Sequence, residues 1–458
     1  MANLTDLPAR TIAANVTRGS LDARVVIDRA LERIAAQNPA LNALIHVPSA
    51  RARADAAGIH DRLRAGECLP LAGVPLIVKD NIFVKDTPIT QGSRLFEGHV
   101  PDEDALSVAR ARAAGAIIVG IGACPEFASK GFTNTARLGV TRHPLRTDLT
   151  PGGSSGGNAA AVRAGFAPVS IGTDGGGSSR RPPAHCGLVG FKPGFGIIPH
   201  PTGFAEPFWS ITSIAPIARD VADTALLFGV LAGRDSRDPD SRPIAPPIDE
   251  PLAALRIAVA PMLGLSAPCD ADVLATFQRA INRLAGHAAM EVAHPEWPAD
   301  MTPAMLMAVQ HAGLAALHGE AYRRTPDLFD PDIAAQIERG FTLSGPEVAG
   351  ALETSLLIRR SVARFFTGHD ILISLTTPCT AWPHTRPYPE SIGGVPAEPR
   401  GHAVLTPMFN HAQTPAISIP CGSTGAGLPV GMQIVGPVGS DWRVLRVAGL
   451  IEQILAEG

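Results

Sequence analysis

The sequence predicts an α/β fold on three observations. Apolar runs of strand length recur at 41–47, 73–79, 117–121 and 168–172, stretches with helical apolar spacing lie between them, and glycine or proline punctuates the joints. Such alternation favours a sheet covered by helices. Ser20 is placed to cap a first helix whose Ile27, Leu31 and Ile34 fall at i, i+4 and i+7, ending before Pro39. Residues 41–47 and 73–79 read as strands. Ala105 to Ala114 reads as a helix stopped by Gly115, leading into the strand Ile117 to Ile121. Asn158 to Ala164 forms a short helix of small residues, and Pro168 to Gly172 the next strand. Five prolines within Arg237 to Pro251 mark a surface excursion. Beyond it, Leu255 to Ala260 reads as a strand and Asp272 to Leu284 as a helix. A more helical, less patterned region runs to about residue 366, before strands near Ile371–Leu375 and Ala416–Pro420 return to the sheet.

Composition narrows the classes. With 45% hydrophobic and 18% charged residues the chain has ample core material, which excludes global disorder. A net charge of −3 offers no basic field, so no nucleic-acid partner is expected. The start Met-Ala-Asn-Leu-Thr-Asp-Leu-Pro lacks a cationic, apolar leader, and no stretch approaches a span of ~20 apolar residues, so a cytoplasmic location away from membranes is expected. Cys68, Cys124, Cys186, Cys269, Cys379 and Cys421 are widely spaced with no Cys-x-x-Cys pair, and read as apolar filler rather than a zinc site or disulfide framework. No metal ligand spacing is visible.

Two serine-bearing glycine loops stand at element ends: Pro-Gly-Gly-Ser-Ser-Gly-Gly at 151–157 and Thr-Asp-Gly-Gly-Gly-Ser-Ser-Arg at 173–180. Without a Cβ, Gly175, Gly176 and Gly177 let the backbone before Ser178 turn tightly and aim N–H groups at one point, a nest suited to a developing anion. Lys79 ends an apolar run, where burial disfavours the ammonium and makes lysine a base near neutral pH. The bland alternatives are a loop hydroxyl at Ser178 bonding its own backbone and a structural ion pair of Lys79 with Asp80 or Asp174.

These segments resemble the amidase signature family. The likeness rests on Gly73 to Asn81, the 151–157 loop, Ser178 lying 24 residues beyond Ser154, Cys186-Gly187 and Gly190-Phe191-Lys192-Pro193. Weaker likeness at Ala215–Arg219, Asp370–Ile373 and Pro415–Ser418 extends it over nearly the whole chain. It implies a single domain over 1–458 with a central mixed β-sheet flanked by helices on both faces. Its parts are a helical N-terminal stretch (1–65), the signature core (66–232), the Pro-rich excursion (233–254) and a remainder (255–458) whose helices shape a substrate pocket. The resemblance further implies an amidohydrolase without metal or organic cofactor. Ser178 is the nucleophile, Ser154 after a cis peptide the relay, Lys79 the base, and the N–H groups of Gly175, Gly176, Gly177 and Ser178 the oxyanion hole. Ser155 and Asp174 support the site, and Arg180 braces the loop through a carboxylate. Ser179 replaces the family's usual aliphatic residue, so a wider or more polar wall is expected beside the nucleophile.

The implied reaction is cleavage of a small-molecule carboxamide through an acyl-enzyme, releasing ammonia or an amine. One alternative is the glutaminase subunit of a glutamyl/aspartyl-tRNA amidotransferase. Arg359 aligns with that subunit's substrate-carboxylate arginine, but Ala403 stands where it has an acid for the glutamine amino group, which argues against free glutamine. The other is an α/β-hydrolase esterase, since residues 152–156 satisfy Gly-x-Ser-x-Gly. No apolar strand precedes them, however, and His384, His402 and His411 lack supporting context. The glycine runs fail as a P-loop because no Gly-Lys-Ser/Thr follows, and retention of Lys79, Ser154 and Ser178 argues against an inert binding module. Phe132, Phe204, Phe208, Trp209 and Trp382 are candidates for the pocket wall. Arg181, His200 and Arg359 are candidates for meeting a carboxylate or polar tail. A homodimer through the N-terminal helices is a further expectation.

Overall fold

Residues 4–135, 137–247 and 249–457 are described by a computed structural model of the chain. Eleven strands build its main sheet: β1 (Leu44–His46), β2 (Pro75–Lys79), β3 (Ile117–Gly122), β4 (Val169–Asp174), β5 (Val189–Lys192), β6 (Ser213–Ala218), β7 (Ile257–Val259), β8 (Met290–Val292), β9 (Ile371–Leu375), β10 (Ala416–Ser423) and β11 (Pro429–Val435). Their spatial order is β1-β3-β2-β4-β6-β5-β10-β11-β9-β7-β8. The sheet is mixed. β2 runs parallel to β3 and β4, and β7 to β8 and β9, while β6, β10 and β11 make antiparallel pairs. β2, β3 and β4 are buried along their whole length, which is why β2 and β3 read as continuous apolar runs; β4 is buried equally but interleaves Ser170, Thr173 and Asp174.

Thirteen helices flank this sheet among the described residues. They are α1 (Ala9–Thr17), α2 (Ala23–Leu41), α3 (Ser49–Arg64), α4 (Leu106–Ala113), α5 (Gly156–Arg163), α6 (Arg181–Cys186), α7 (Val221–Leu231), α8 (Ala271–Leu284), α9 (Pro303–Arg324), α10 (Pro331–Thr342), α11 (Gly345–Gly368), α12 (Met408–His411) and α13 (Asp441–Ala456), besides short 3-10 turns. α2 differs from expectation at both ends. Asp22, not Ser20, caps it by accepting from the Arg24 N–H at 2.8 Å, while the Ser20 hydroxyl donates to the Asn15 carbonyl at 3.1 Å. Pro39 lies inside the last turn, where one missing N–H costs a single ladder bond, and Asn42 (φ 51°) closes the helix through its N–H to the Asn38 carbonyl at 2.7 Å. Leu41 therefore belongs to the helix, and the strand expected over 41–47 shrinks to β1. The described residues of the Pro-rich excursion hold no strand and no helix before the 3-10 turn Leu252–Ala254 at its end; Ala136, Ile248 and residues 1–3 and 458 lie outside the described set.

Register places the chemistry. Leu76, Ile77 and Val78 of β2 pair in parallel with Val169, Ser170 and Ile171 of β4, so the carboxyl ends of the two strands open side by side. That end of neighbouring parallel strands is where α/β sheets leave a crevice for ligands. α9 packs against both α10 and α11 and brings Leu306, Met307 and Gln310 to this end of the sheet. α1 and α2 bury Ile12, Val16, Ile27 and Ile34 in the chain's own core, so the dimer expectation gains no support from them.

Candidate active site

Lys79 is the last residue of β2 and is fully buried. Its ammonium donates to the Ser154 hydroxyl at 2.8 Å and to Thr173 Oγ1 at 2.9 Å. Among the described residues it has no carboxylate within ion-pair distance, so the structural-pair reading fails. Asp80 is instead held by Thr90 and the Gly92 N–H at 2.6–2.8 Å. Burial pushes Lys79 down to about 8, against smaller opposing pulls from Cys124, Glu206 and Asp174. Ser154 follows a cis peptide bond from Gly153 and is 1% exposed.

Ser178 lies in the loop between β4 and α6, 8% exposed, and its hydroxyl makes no hydrogen bond within the described residues. That counts against a loop hydroxyl tied to its own backbone. Asp174 organises this loop by accepting from the Gly177 N–H at 2.6 Å and the Ser179 N–H at 3.1 Å. The Gly177 N–H is thereby spent, which corrects its expected place in an oxyanion hole. Gly177 serves by its conformation, φ 111°, which a side chain rarely adopts. The N–H groups of Gly176 and Ser178 have no partner among the described residues, and a side chain on Gly176 would meet only open space. Burial alone would raise Asp174. Arg180, fully buried and donating to both its oxygens at 3.0 Å, overcomes this with help from Lys192 and Asn410 and holds it well below the usual carboxylate range. Arg180 reaches on to Asn410 Oδ1 at 2.6 Å and Gln433 Oε1 at 2.7 Å, tying the loop to α12 and β11.

Ser155 bonds Ser179 Oγ at 3.1 Å and the Thr173 carbonyl at 3.3 Å. Ser179 also donates to that carbonyl, at 3.0 Å, and is fully buried behind the loop. It does not line the cavity, so the expectation of a modified pocket wall fails: the serine pairs with Ser155 inside the protein.

A cavity of about 280 Å³ opens over Ser154, Ser178, Gly175 and Gly176. Of the expected wall residues, Phe208 and Arg181 line it. Phe132, Phe204, Trp209, Trp382, Arg359 and His200 do not. Phe204 packs against Phe83 and Phe96, with ring centroids 4.9 and 4.6 Å away. Trp209 is 46% exposed, whereas Trp382 sits between His185 and His402. Phe132 backs the Gly153 loop, Arg359 stands on α11 in the field of His411, and His200 donates its N–H to Asp238. The walls come from residues without motif context: Leu306 and Met307 of α9, Met408 of α12, Met301, Ile211 and Arg400. Glu206, the only carboxyl among the lining residues, is raised by burial to about 7 and accepts from Thr212 Oγ1 at 3.2 Å. Apolar residues on helices in the 303–324 region were the signal available for this wall; Glu206 and Arg400 carried none. No His/Cys/Asp/Glu group of metal-binding geometry occurs among the described residues, and no helix there is long and apolar enough to cross a membrane.

Comparison with known proteins decides the family. The family model described as Amidase matches residues 25–445. The chain belongs to the amidase signature family. Its reaction class is accordingly the cleavage of amide C–N bonds, which leaves no place for the esterase reading; neither His402 nor His411 bonds Ser154. Curated relatives matching nearly the whole amidase chain are glutamyl-tRNA(Gln) amidotransferase A subunits. The one from Synechococcus sp. (strain CC9605) is 34% identical over 465 residues, covering 95% of this chain and 94% of the relative. A solved inhibitor-bound structure of a vestigial complex, bearing on the origins of an s-triazine catabolic enzyme, superposes with TM-score 0.90 at 30% identity, covering 98% of both chains. 6-Aminohexanoate cyclic dimer hydrolase with substrate superposes with TM-score 0.85 at 25% identity, covering 99% of this chain and 98% of the other.

Proposed function

We propose that the enzyme hydrolyses a small carboxamide through an acyl-enzyme on Ser178. The observation that carries this reading is the 2.8 Å bond from buried Lys79 to Ser154, at the floor of the cavity that Ser178 also lines. Neutral Lys79 accepts the Ser154 proton while Ser154 takes that of Ser178, whose oxygen attacks the amide carbonyl. The tetrahedral oxyanion faces the Gly176 and Ser178 N–H groups. Collapse breaks the C–N bond as the proton returns through Ser154 to the leaving nitrogen, and water then attacks the ester along the reverse route. A serine-directed phosphonate, followed by peptide mass mapping, tests this. A single adduct on Ser178 is expected, and an adduct on Ser154 would overturn the assignment.

The second reading, a glutaminase subunit, has a specific support: the curated relatives are amidotransferase A subunits, and they favour it over a free-standing amidase. The cavity favours the first reading. Arg359 does not line it, and Ala403, which does, offers no acid to a substrate ammonium. Ammonia release from glutamine, compared with simple aliphatic amides, separates the two; preference for glutamine would install the second.

A further inference from the structure

Three cationic side chains line the cavity, and only one of them is neutralised. Lys130 has Asp330 at 2.6 Å. Arg181 and Arg400 have no carboxylate within 4.0 Å among the described residues. Arg181, 3% exposed, spends its donors on neutral acceptors: the Gly176 carbonyl, Thr406 Oγ1 at 2.9 Å and the Gly153 carbonyl at 3.4 Å. Its Nε has no acceptor at all. Arg400 donates to the Ser129 carbonyl at 3.0 Å. Neighbouring Arg180, by contrast, is matched by Asp174. An unpaired guanidinium buried beside walls of methionine and leucine, as Arg181 is, is costly unless something anionic joins it, and Arg400 brings a second, partly exposed one to the same cavity.

We infer that the amide substrate carries a carboxylate at its uncleaved end, gripped by Arg181 and Arg400, with a short apolar spacer against Met301, Leu306 and Met307. The inference rests on the hydrolase reading above and names its substrate class. Burial lowers Arg181 to about 9 and Arg400 to about 10, so both remain charged at neutral pH and available to an anion. A guanidinium presents parallel N–H groups that match a carboxylate, and a site built for that charge discriminates strongly against an uncharged analogue. Glu206 does not cancel the field, since it pairs with neither arginine and its charge is weakened by burial.

The test compares glutaramate with valeramide, which ends in a methyl group where glutaramate has its carboxylate. In the wild type, kcat/KM for glutaramate exceeds that for valeramide by about ten- to hundredfold. Arg400→Gln brings the ratio to within about threefold, while Arg400→Lys keeps part of it; thermal melts of both variants confirm folding. Calorimetric titration of Ser178→Ala with glutaramate reports the grip without turnover and weakens by a similar factor when Arg400→Gln is added. Equal turnover of the two amides by the wild type, or a ratio unmoved by Arg400→Gln, overturns the inference and leaves hydrolysis standing. If no amide acylates Ser178, the hydrolase reading falls, and the titration alone decides the anion site. Faster ammonia release from glutamine than from glutaramate supports the carboxylate grip and adds an ammonium site.

Discussion

Lys79 sits at the buried end of β2, and in the proposed mechanism the cost of charging it bears on both activity and stability. Lysine titrates near 10.5 when exposed and at about 8 here. Between those values the unfolded chain binds more protons than the native state, so this group's contribution to stability rises with pH across that window. It is fully present above 10.5 and lost as pH falls through 8, a difference of roughly 3 kcal/mol. Lys79→Met removes the penalty, so at pH 7 its denaturation midpoint should match or exceed that of the wild type. Wild-type kcat/KM should fall on acidification with an apparent pKa near 8. Lys79→Met should be inactive at every pH, and Lys79→Arg as well, since guanidinium stays protonated; an active arginine variant would assign the base elsewhere. Ser178→Ala should lose on the order of 10⁴ or more in kcat. Its melting temperature should hold within about 2 °C, because the removed hydroxyl bonds nothing in the described protein. Ser154→Ala should lose roughly 10²–10⁴; steady-state rates on one amide rank all of these. Lys79 and the two serine loops were legible because glycine loops and a lysine closing an apolar run are local signals, while the choice of Ser154 and Ser178 over Ser155 and Ser179 rested on the 24-residue offset of the family they resemble. Arg400 and Glu206 were not, since each is one polar residue in an irregular segment that acquires meaning only when distant elements meet over the cavity.

At the scale of elements, the β4–α6 loop is held by a carboxylate as well as by its own backbone bonds from Arg180 and Arg181 to the Gly177 carbonyl. Asp174 receives the Gly177 and Ser179 N–H groups and the Arg180 guanidinium, and Arg180 carries the tie to α12 and β11. Arg180→Met should therefore strand a buried carboxylate and cost about 3–5 kcal/mol in chemical denaturation. Adding Asp174→Asn to it should cost less than the sum of the single changes. Additive losses would mean that the two side chains act independently. The same logic explains which elements the sequence disclosed. β2 and β3 stood out because burial on both faces makes an unbroken apolar run. β10 was read near Ala416–Pro420 and runs on to Ser423, whereas β6, which carries Pro216, was not read as a strand and takes its place by pairing antiparallel with β4, a signal no local window contains. The cap of α2 shifted from Ser20 to Asp22 for a similar reason: both residue types can cap, and the Ser20 hydroxyl was already taken by Asn15.

Across the whole molecule, the question is whether this chain works alone or as one part of a larger enzyme. Curated relatives at 34% identity are named as subunits, yet the cavity is lined from Asn81 to His411 by this chain's own residues, with both serines in its floor. The Asp174–Arg180 clamp and the Lys79–Ser154 bond likewise form within this chain. Hydrolysis of a preferred amide should therefore proceed at a rate per chain that stays constant on serial dilution, from micromolar to low nanomolar concentrations, because a partner bound at ordinary affinity would dissociate over that range. Adding charged tRNA should leave the rate unchanged, in keeping with a net charge of −3 and no basic field. The check is ammonia or amine release per mole of purified chain across the dilution, with mass photometry on the same samples. A rate that collapses with dilution, or glutamine turnover that appears only with added partner subunits and tRNA, would place the chain with the amidotransferase subunits it resembles in sequence.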